Sequence, residues 1–349
     1  MQSLKVNGAS STHPWLPESF IANGGTLQYT VGSTPNTTWG SSAADAPPSY
    51  HYGEIPTLVS LNPGRITVAP GAQVQASITA QNISNAATTV QWSATPPAGL
   101  TLTPASGSFT VAANSNAQQS FTIAAGANMA EGVYSIPLTA QTSTGVKLPI
   151  SALTVVVAKP GNLLGLFNNA GISNDGQGNA DFDGDGYSYS AQQLAASGYK
   201  PGATVTVNGT QYLWPNVAPA TFDNVQVAGQ TIQTPDAKAG ATHLTFLGSA
   251  TNGPSSGNVT ITYTDGSTQT AQLGFSDWTL GAGNSQPSYG NVVAVKTSYR
   301  NAGSGQDQVG TYVFASAPIA LNASKQVASI TFPSSVDQGA LHIFALTVS

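Results

Sequence analysis

Residues 204–214 read TVTVNGTQYLW. Thr and Val alternate up to Asn208-Gly209, and polar and apolar residues alternate again beyond it. Successive side chains of a strand point to opposite faces. An Asn-Gly pair supplies the two positive-φ residues of a type I′ turn. The string therefore predicts a β-hairpin. The same pattern recurs outward, at 224–227, 243–248, 258–263, 268–275, 292–299, 310–315, 328–332 and 341–348, with a second turn at Asp265-Gly266. SAQQLAAS at 190–197 alone reads as a short helix. Residues 160–349 are thus predicted to be all-β, a sandwich or jelly roll too long for one immunoglobulin unit.

Upstream, alternation at 73–81, 89–94, 107–111, 118–124, 133–141 and 147–157 is broken by turn residues about every ten positions. That spacing over 58–159 predicts an immunoglobulin-like sandwich, with Trp92 and Tyr134 on its core side. Residues 41–57 (SSAADAPPSYHYGEIPT) read as a linker, rich in Ser, Ala, Pro and Tyr. Before it, 2–6 and 25–31 carry strand patterns, with a turn at Asn7-Gly8. So few strands bury little by themselves and are expected to join a larger sheet.

Composition narrows the function. Charged residues make up 7% of 349, and the formal net charge is −5. The two arginines are Arg65 and Arg300. Phosphate contacts need clustered Lys and Arg, so a nucleic-acid partner is not expected. No apolar run is long enough for a membrane helix, and no partner membrane is expected. The absence of cysteine, with the Gly-, Thr- and Asn-rich surface, predicts a secreted, extracellular protein built without disulfides. The glutamates are Glu18, Glu54 and Glu131. None has an evident partner of the kind inverting glycoside hydrolysis requires.

QSLKVNG at 2–8, His13-Pro14-Trp15-Leu16, and NGGTLQYTVGSTPNTTWG at 23–40 occur in the order and spacing of a known C-terminus. The segment resembles the closing strands of family-92 glycoside hydrolases. Such enzymes are exo-acting, calcium-dependent, inverting α-mannosidases, whose catalytic domain pairs a β-sandwich with an α/α barrel. The resemblance implies that residues 1–40 are the terminal strands of a catalytic domain lying upstream. It also implies that the catalytic carboxylates and calcium ligands belong to that domain. No catalytic residue is therefore assigned here.

Asn82, Pro96-Pro97-Ala98-Gly99-Leu100 and Ala130-Glu131-Gly132-Val133-Tyr134 make residues 58–159 similar to NEW3-type domains, spacers beside glycosidase modules. FNNAGISNDG at 167–176, GYSYSAQQLAASGYKPGATVTVNGTQYLWPNV at 186–217 and Asp223-Asn224-Val225 resemble a domain appended to secreted actinobacterial glycosidases. LGFSDWTLG at 273–281 extends that likeness.

Two candidate sites follow. Asp181, Asp183 and Asp185 sit in DFDGDG, where acidic side chains at alternate positions around a glycine turn suit a structural calcium. Position twelve of the loop is Gln192 rather than the Glu of an EF-hand, and a solvated acidic turn is the competing reading. For carbohydrate, Tyr187, Tyr189, Tyr212, Trp214 and Trp278 are candidate stacking platforms, with Tyr289 beside them. Each equally suits a sandwich core. The histidines, His13, His51, His243 and His342, show no ligand spacing.

Three functions are consistent with these residues. The first is a non-catalytic accessory region of a secreted α-mannosidase-like enzyme, binding mannan or a cell-wall glycan. The second is a structural spacer packing on the upstream catalytic domain. The third is an autonomous hydrolase within residues 160–349.

Overall fold

The computed structural model describes residues 1–17, 20, 23–34, 36–42, 45–47, 55–303 and 305–349. Glu18, Pro35, His51 and Glu54, and much of the expected linker, lie outside the described residues. The chain divides into two compact units, 1–56 and 57–349.

The first unit holds three antiparallel strands in the order Ala9–Ser11, Ser3–Val6, Leu27–Thr30. Asn7 and Gly8 take φ of 51° and 82°, as the predicted turn requires. Val6 accordingly pairs with Ala9. The strands thus pair with one another, and Leu4 is the buried apolar side chain among them. Asp45 is also buried. Its carboxylate accepts from Thr12 Oγ1, and its carbonyl accepts from Trp15 Nε1 at 3.1 Å. Part of the expected linker is therefore tied into this unit.

The second unit begins with the strand array. Thr57–Asn62, Gln73–Asn82, Ser115–Ala125 and Leu100–Thr103 form one sheet. Lys147–Leu148, Leu138–Thr142, Thr88–Ala94 and Ser106–Val111 form a second. Arg65–Val68 joins Leu153–Val157 in parallel. Trp92 is buried 5.4 Å from Phe121, and its Nε1 donates to Gln119 Oε1 at 2.8 Å. Tyr134 departs from expectation: it is half-buried, and its hydroxyl donates to the Ala130 carbonyl at the edge.

Residues 160–349 form the larger sandwich. One sheet runs Val225–Gln226, Ala340–Val348, His243–Thr251, Tyr312–Ala315, Val292–Lys296. The other runs Thr231–Gln233, Val327–Thr331, Ser255–Tyr263, Thr268–Phe275. Between them lies a core that includes Phe246, Phe275, Phe332, Ile261 and Ile343. The hairpin Thr204–Val207 and Thr210–Leu213 pairs across Asn208-Gly209. Ser190 caps the short helix Ala191–Ala196 by accepting from the Gln193 N–H.

The decisive feature is a second core. Phe182, Tyr189, Tyr212, Trp214, Trp278 and Phe344 pack on the far side of the first sheet. Along Ala340–Val348, Leu341 and Ile343 enter the first core, while Phe344 enters the second. Both faces of this strand are buried, so its alternation is between two apolar layers. His342 shares the face of Phe344.

Candidate functional site

The aromatic platforms predicted from the sequence are largely this second core. Tyr189, Tyr212, Trp214 and Trp278 are each at most 2% exposed. Trp214 stacks on Phe344 at 4.9 Å, and Phe182 meets both Tyr189 and Trp278 at about 5 Å. The hydroxyl of Tyr189 donates to the Tyr312 carbonyl at 2.8 Å. Burial drives that phenol well above its ordinary pKa. These rings have no free face for a sugar. The reason is that the hairpin and the strand Tyr187–Ser190 cover the sheet face that sequence leaves open.

Tyr187 is half-buried, and its face is also taken. The guanidinium of Arg300 lies 3.5 Å above the ring. Arg300 Nε donates to Asp307 Oδ2 at 2.8 Å, and Nη1 lies 3.6 Å from Asp183 Oδ2. Arg300 is thus pinned between two carboxylates over an aromatic plane. Tyr289 is 37% exposed.

The acidic loop closes on itself. Asp181 Oδ1 accepts from the N–H groups of Gly184 and Gly186, at 2.8 and 3.0 Å. Asp183 Oδ1 accepts from Asp185 and Tyr187 N–H, at 3.0 and 3.2 Å. Burial raises the Asp183 pKa against the pull of those bonds and of Arg300. Asp185 is exposed. Among the described residues no group of three His, Asp or Glu is arranged to hold a metal ion. The three carboxylates are thus not brought together as a ligand group: two of them accept from turn N–H groups through Oδ1, and one of those two also faces a guanidinium.

Beside this loop lies a polar cleft of about 770 Å³. Its walls include Asn168, Asn169, Asn179, Gln226 and Asn252, with Asp181, Asp183 and His342. Phe222, 41% exposed, stands on its rim, and Arg65 sits over that ring at 5.3 Å. The cleft falls within the 300–1,000 Å³ range of small-ligand sites.

A chain of directed hydrogen bonds runs behind this wall. Asn169 Nδ2 donates to the Asp181 carbonyl at 3.0 Å. A carbonyl only accepts, so Asn169 Oδ1 must face the other way. There it accepts from Asn224 Nδ2 at 2.8 Å. Asn224 Oδ1 then lies 2.8 Å from His342 Nδ1. Nδ1 must be the protonated nitrogen, and Nε2 carries the lone pair. His342 is 1% exposed, and burial lowers its pKa to about 3. Nε2 has no hydrogen-bond partner among the described residues. Next to Asn224, the buried Asp223 accepts from Gly171 and Ile172 N–H and from Asn224 Nδ2. Burial nevertheless raises its pKa to about 7.

A second cleft, of about 490 Å³, lies where the strand array meets the sandwich. Its floor is apolar, with Phe167, Trp214 and Phe344. Its Glu131 is engaged internally, accepting from Lys159 N–H at 2.6 Å and Asn162 Nδ2 at 3.2 Å. The polar cleft is the better candidate because its side chains present many hydrogen-bonding groups at one surface. Sequence reading missed Asn169, Phe222, Asn224 and His342. The available signal was a lone histidine in the otherwise apolar run ALHIFAL.

Fold and cleft together define an all-β sandwich protein with an amide-lined surface site. Residues 160–349 match the AziU2-like beta-sandwich domain family, and the chain belongs to that family. No curated protein matches the chain. Three solved structures align with parts of it. A family 123 glycoside hydrolase from Clostridium perfringens aligns at 9% identity and a TM-score of 0.23, over 30% of this chain and 27% of that one. The third ScaB cohesin of R. flavefaciens, solved with a group 1 dockerin, aligns at 14% and 0.24, over 29% and 96%. The seventh ScaB type I cohesin of Pseudobacteroides cellulosolvens aligns at 13% and 0.23, over 31% and 95%. The chain thus spans about a quarter of the hydrolase's length.

Proposed function

We propose that the chain is a non-catalytic accessory region of a secreted, α-mannosidase-like glycoside hydrolase, and that residues 160–349 hold a glycan in the polar cleft. Supporting this reading is the lining itself. The side chains of Asn179, Gln226 and Asn252 offer paired donors and acceptors, which match the alternating hydroxyl groups of a pyranose, while the amides of Asn168 and Asn169 are bonded within the fold and hold that wall in place. Phe222, 41% exposed on the rim, offers aromatic surface for the sugar's C–H face. Mannan and cell-wall polysaccharide are the glycans proposed. An upstream catalytic domain, ending in residues 1–40, is the proposed partner.

Affinity electrophoresis in gels containing mannan or cell-wall polysaccharide tests this. Retarded migration that free oligosaccharide abolishes is expected. Unchanged mobility on every polysaccharide sinks the glycan reading. Release of sugar from an aryl mannoside by the chain alone would instead establish a hydrolase.

The spacer reading has its own support. Glu131 ties to Lys159 and Asn162. The Thr67 hydroxyl donates to the Gly165 carbonyl at 3.2 Å, and Arg65 covers Phe222. These contacts join the strand array to the sandwich and would hold a module at fixed distance from a catalytic domain.

A further inference from the structure

The histidine behind the cleft wall has a defined chemical state. Asp181 carbonyl, Asn169, Asn224 and His342 form one directed series of hydrogen bonds, each 2.8–3.0 Å long. The series leaves His342 Nε2 as an acceptor only. His342 belongs to the cleft lining, is 1% exposed, and its Nε2 has no partner among the described residues. A buried acceptor without a donor is rare in folded proteins and calls for an explanation. Its own core neighbours do not supply one, since the adjacent Phe182 ring, 4.3 Å away, has no donor.

Two ligand classes suit a neutral imidazole lone pair. A metal ion would need further nitrogen or oxygen ligands around it. The described residues contain no group of three His, Asp or Glu so arranged. A hydrogen-bond donor needs only reach and direction. We infer that His342 Nε2 accepts a hydrogen bond from a hydroxyl group of a polyhydroxylated ligand at the inner end of the polar cleft. This rests on the glycan reading and adds to it a residue that sets specificity. A site built to bind a hydroxyl rejects the analogue lacking it far more strongly than an apolar pocket does.

The test uses the whole chain labelled with 15N-histidine and α-linked mannobiose as the probe. In the free protein, one histidine is expected as the Nδ1–H tautomer, unchanged down to pH 5. On titration with mannobiose, its Nε2 resonance is expected to move while the other histidines stay still. His342→Phe is expected to weaken mannobiose binding at least tenfold with circular dichroism unchanged. Wild-type NMR keeps the test decisive if that variant fails to fold. Binding of mannobiose with a stationary His342 Nε2 overturns this inference and leaves the glycan reading standing. Neither binding nor shift with any mannan fragment overturns both. A shift produced by Zn²⁺ alone, and not by mannobiose, assigns the nitrogen to a metal and also overturns the inference.

Discussion

His342 Nδ1 and Asn224 Oδ1 lie 2.8 Å apart inside the sandwich, and Asn224 Nδ2 in turn donates to Asn169 Oδ1 and Asp223 Oδ1. One amide therefore links a depressed histidine to a raised aspartate. Their effects on stability oppose each other. His342 titrates near 3 when folded and about 6.5 when unfolded. Between those values the unfolded chain holds the extra proton, so stability falls as pH drops. Asp223 titrates near 7 when folded and about 3.9 when unfolded. Between those values the folded chain holds the extra proton, so stability falls as pH rises.

From about pH 4 to 6.5 the two slopes are of opposite sign and each about 1.4 kcal/mol per pH unit. Their sum is expected to be nearly flat. Asp223→Asn should unmask the histidine, so that denaturation midpoints fall steadily on acidification across this window. His342→Phe should do the reverse, gaining relative stability as pH falls toward 4. Urea denaturation of the three proteins from pH 4 to 7 measures this. Parallel profiles would refute the assignment.

Arg300 spans Asp183, Asp307 and the face of Tyr187. Arg300→Ala leaves a partly buried carboxylate without its cation and a ring without its cover. A loss of about 1–3 kcal/mol is expected. Arg300→Lys should recover little of it, because an ammonium lacks the planar fork that meets a carboxylate while stacking on a ring. Thermal melts of the two variants beside the parent decide the point; full rescue by lysine would show that charge alone matters.

Chelation should leave the melting temperature unchanged, since the Asp181–Asp185 turn is held by its own backbone N–H groups. Asp181→Ala removes two of those bonds and should cost roughly 1 kcal/mol with or without added calcium. A rise in melting temperature on adding calcium, lost in Asp181→Ala, would restore the metal reading.

Gly339 lies on the cleft wall with φ of 54°. A Cβ there would stand 1.9 Å from the Thr251 carbonyl oxygen, across the same wall. Gly339→Ala combines a left-handed backbone with a backbone clash. It should cost at least about 1–3 kcal/mol and alter the cleft together with stability. Unchanged melting would mean that the wall yields freely.

Trp214 distinguishes core from platform. It is 2% exposed and stacked on Phe344. Trp214→Ala is expected to destabilise by about 3–5 kcal/mol, with any loss of glycan retention following unfolding. Lost retention at unchanged stability would return Trp214 to the binding surface.

Much of the strand plan was legible because its signals are local. Alternation and the turns Asn7-Gly8, Asn208-Gly209 and Asp265-Gly266 depend on neighbouring residues, as does the short helix read at 190–197. The site was less legible. Trp214 and Tyr189 carry the same local pattern whether a strand face meets solvent or a second layer. The two arginines were conspicuous by rarity, and each covers an aromatic ring, Phe222 or Tyr187. Which ring could not be read from spacing: Arg300 is far from Tyr187 in sequence.

By itself, the sequence determined an all-β chain, because period-2 patterning and Asn-Gly turns constrain φ and ψ within a few residues. It also determined the sparse charge and the lack of disulfides. Tertiary structure alone decided that the hairpin and the Tyr187–Ser190 strand cover the far side of the main sheet, turning expected sugar platforms into core. It likewise decided that Asn169, Asn224 and His342, up to 173 positions apart (342 − 169), form one hydrogen-bonded series behind a cleft. Hydrogen bonds are set by distance and direction in space, and no local pattern encodes contacts between strands so distant in the chain.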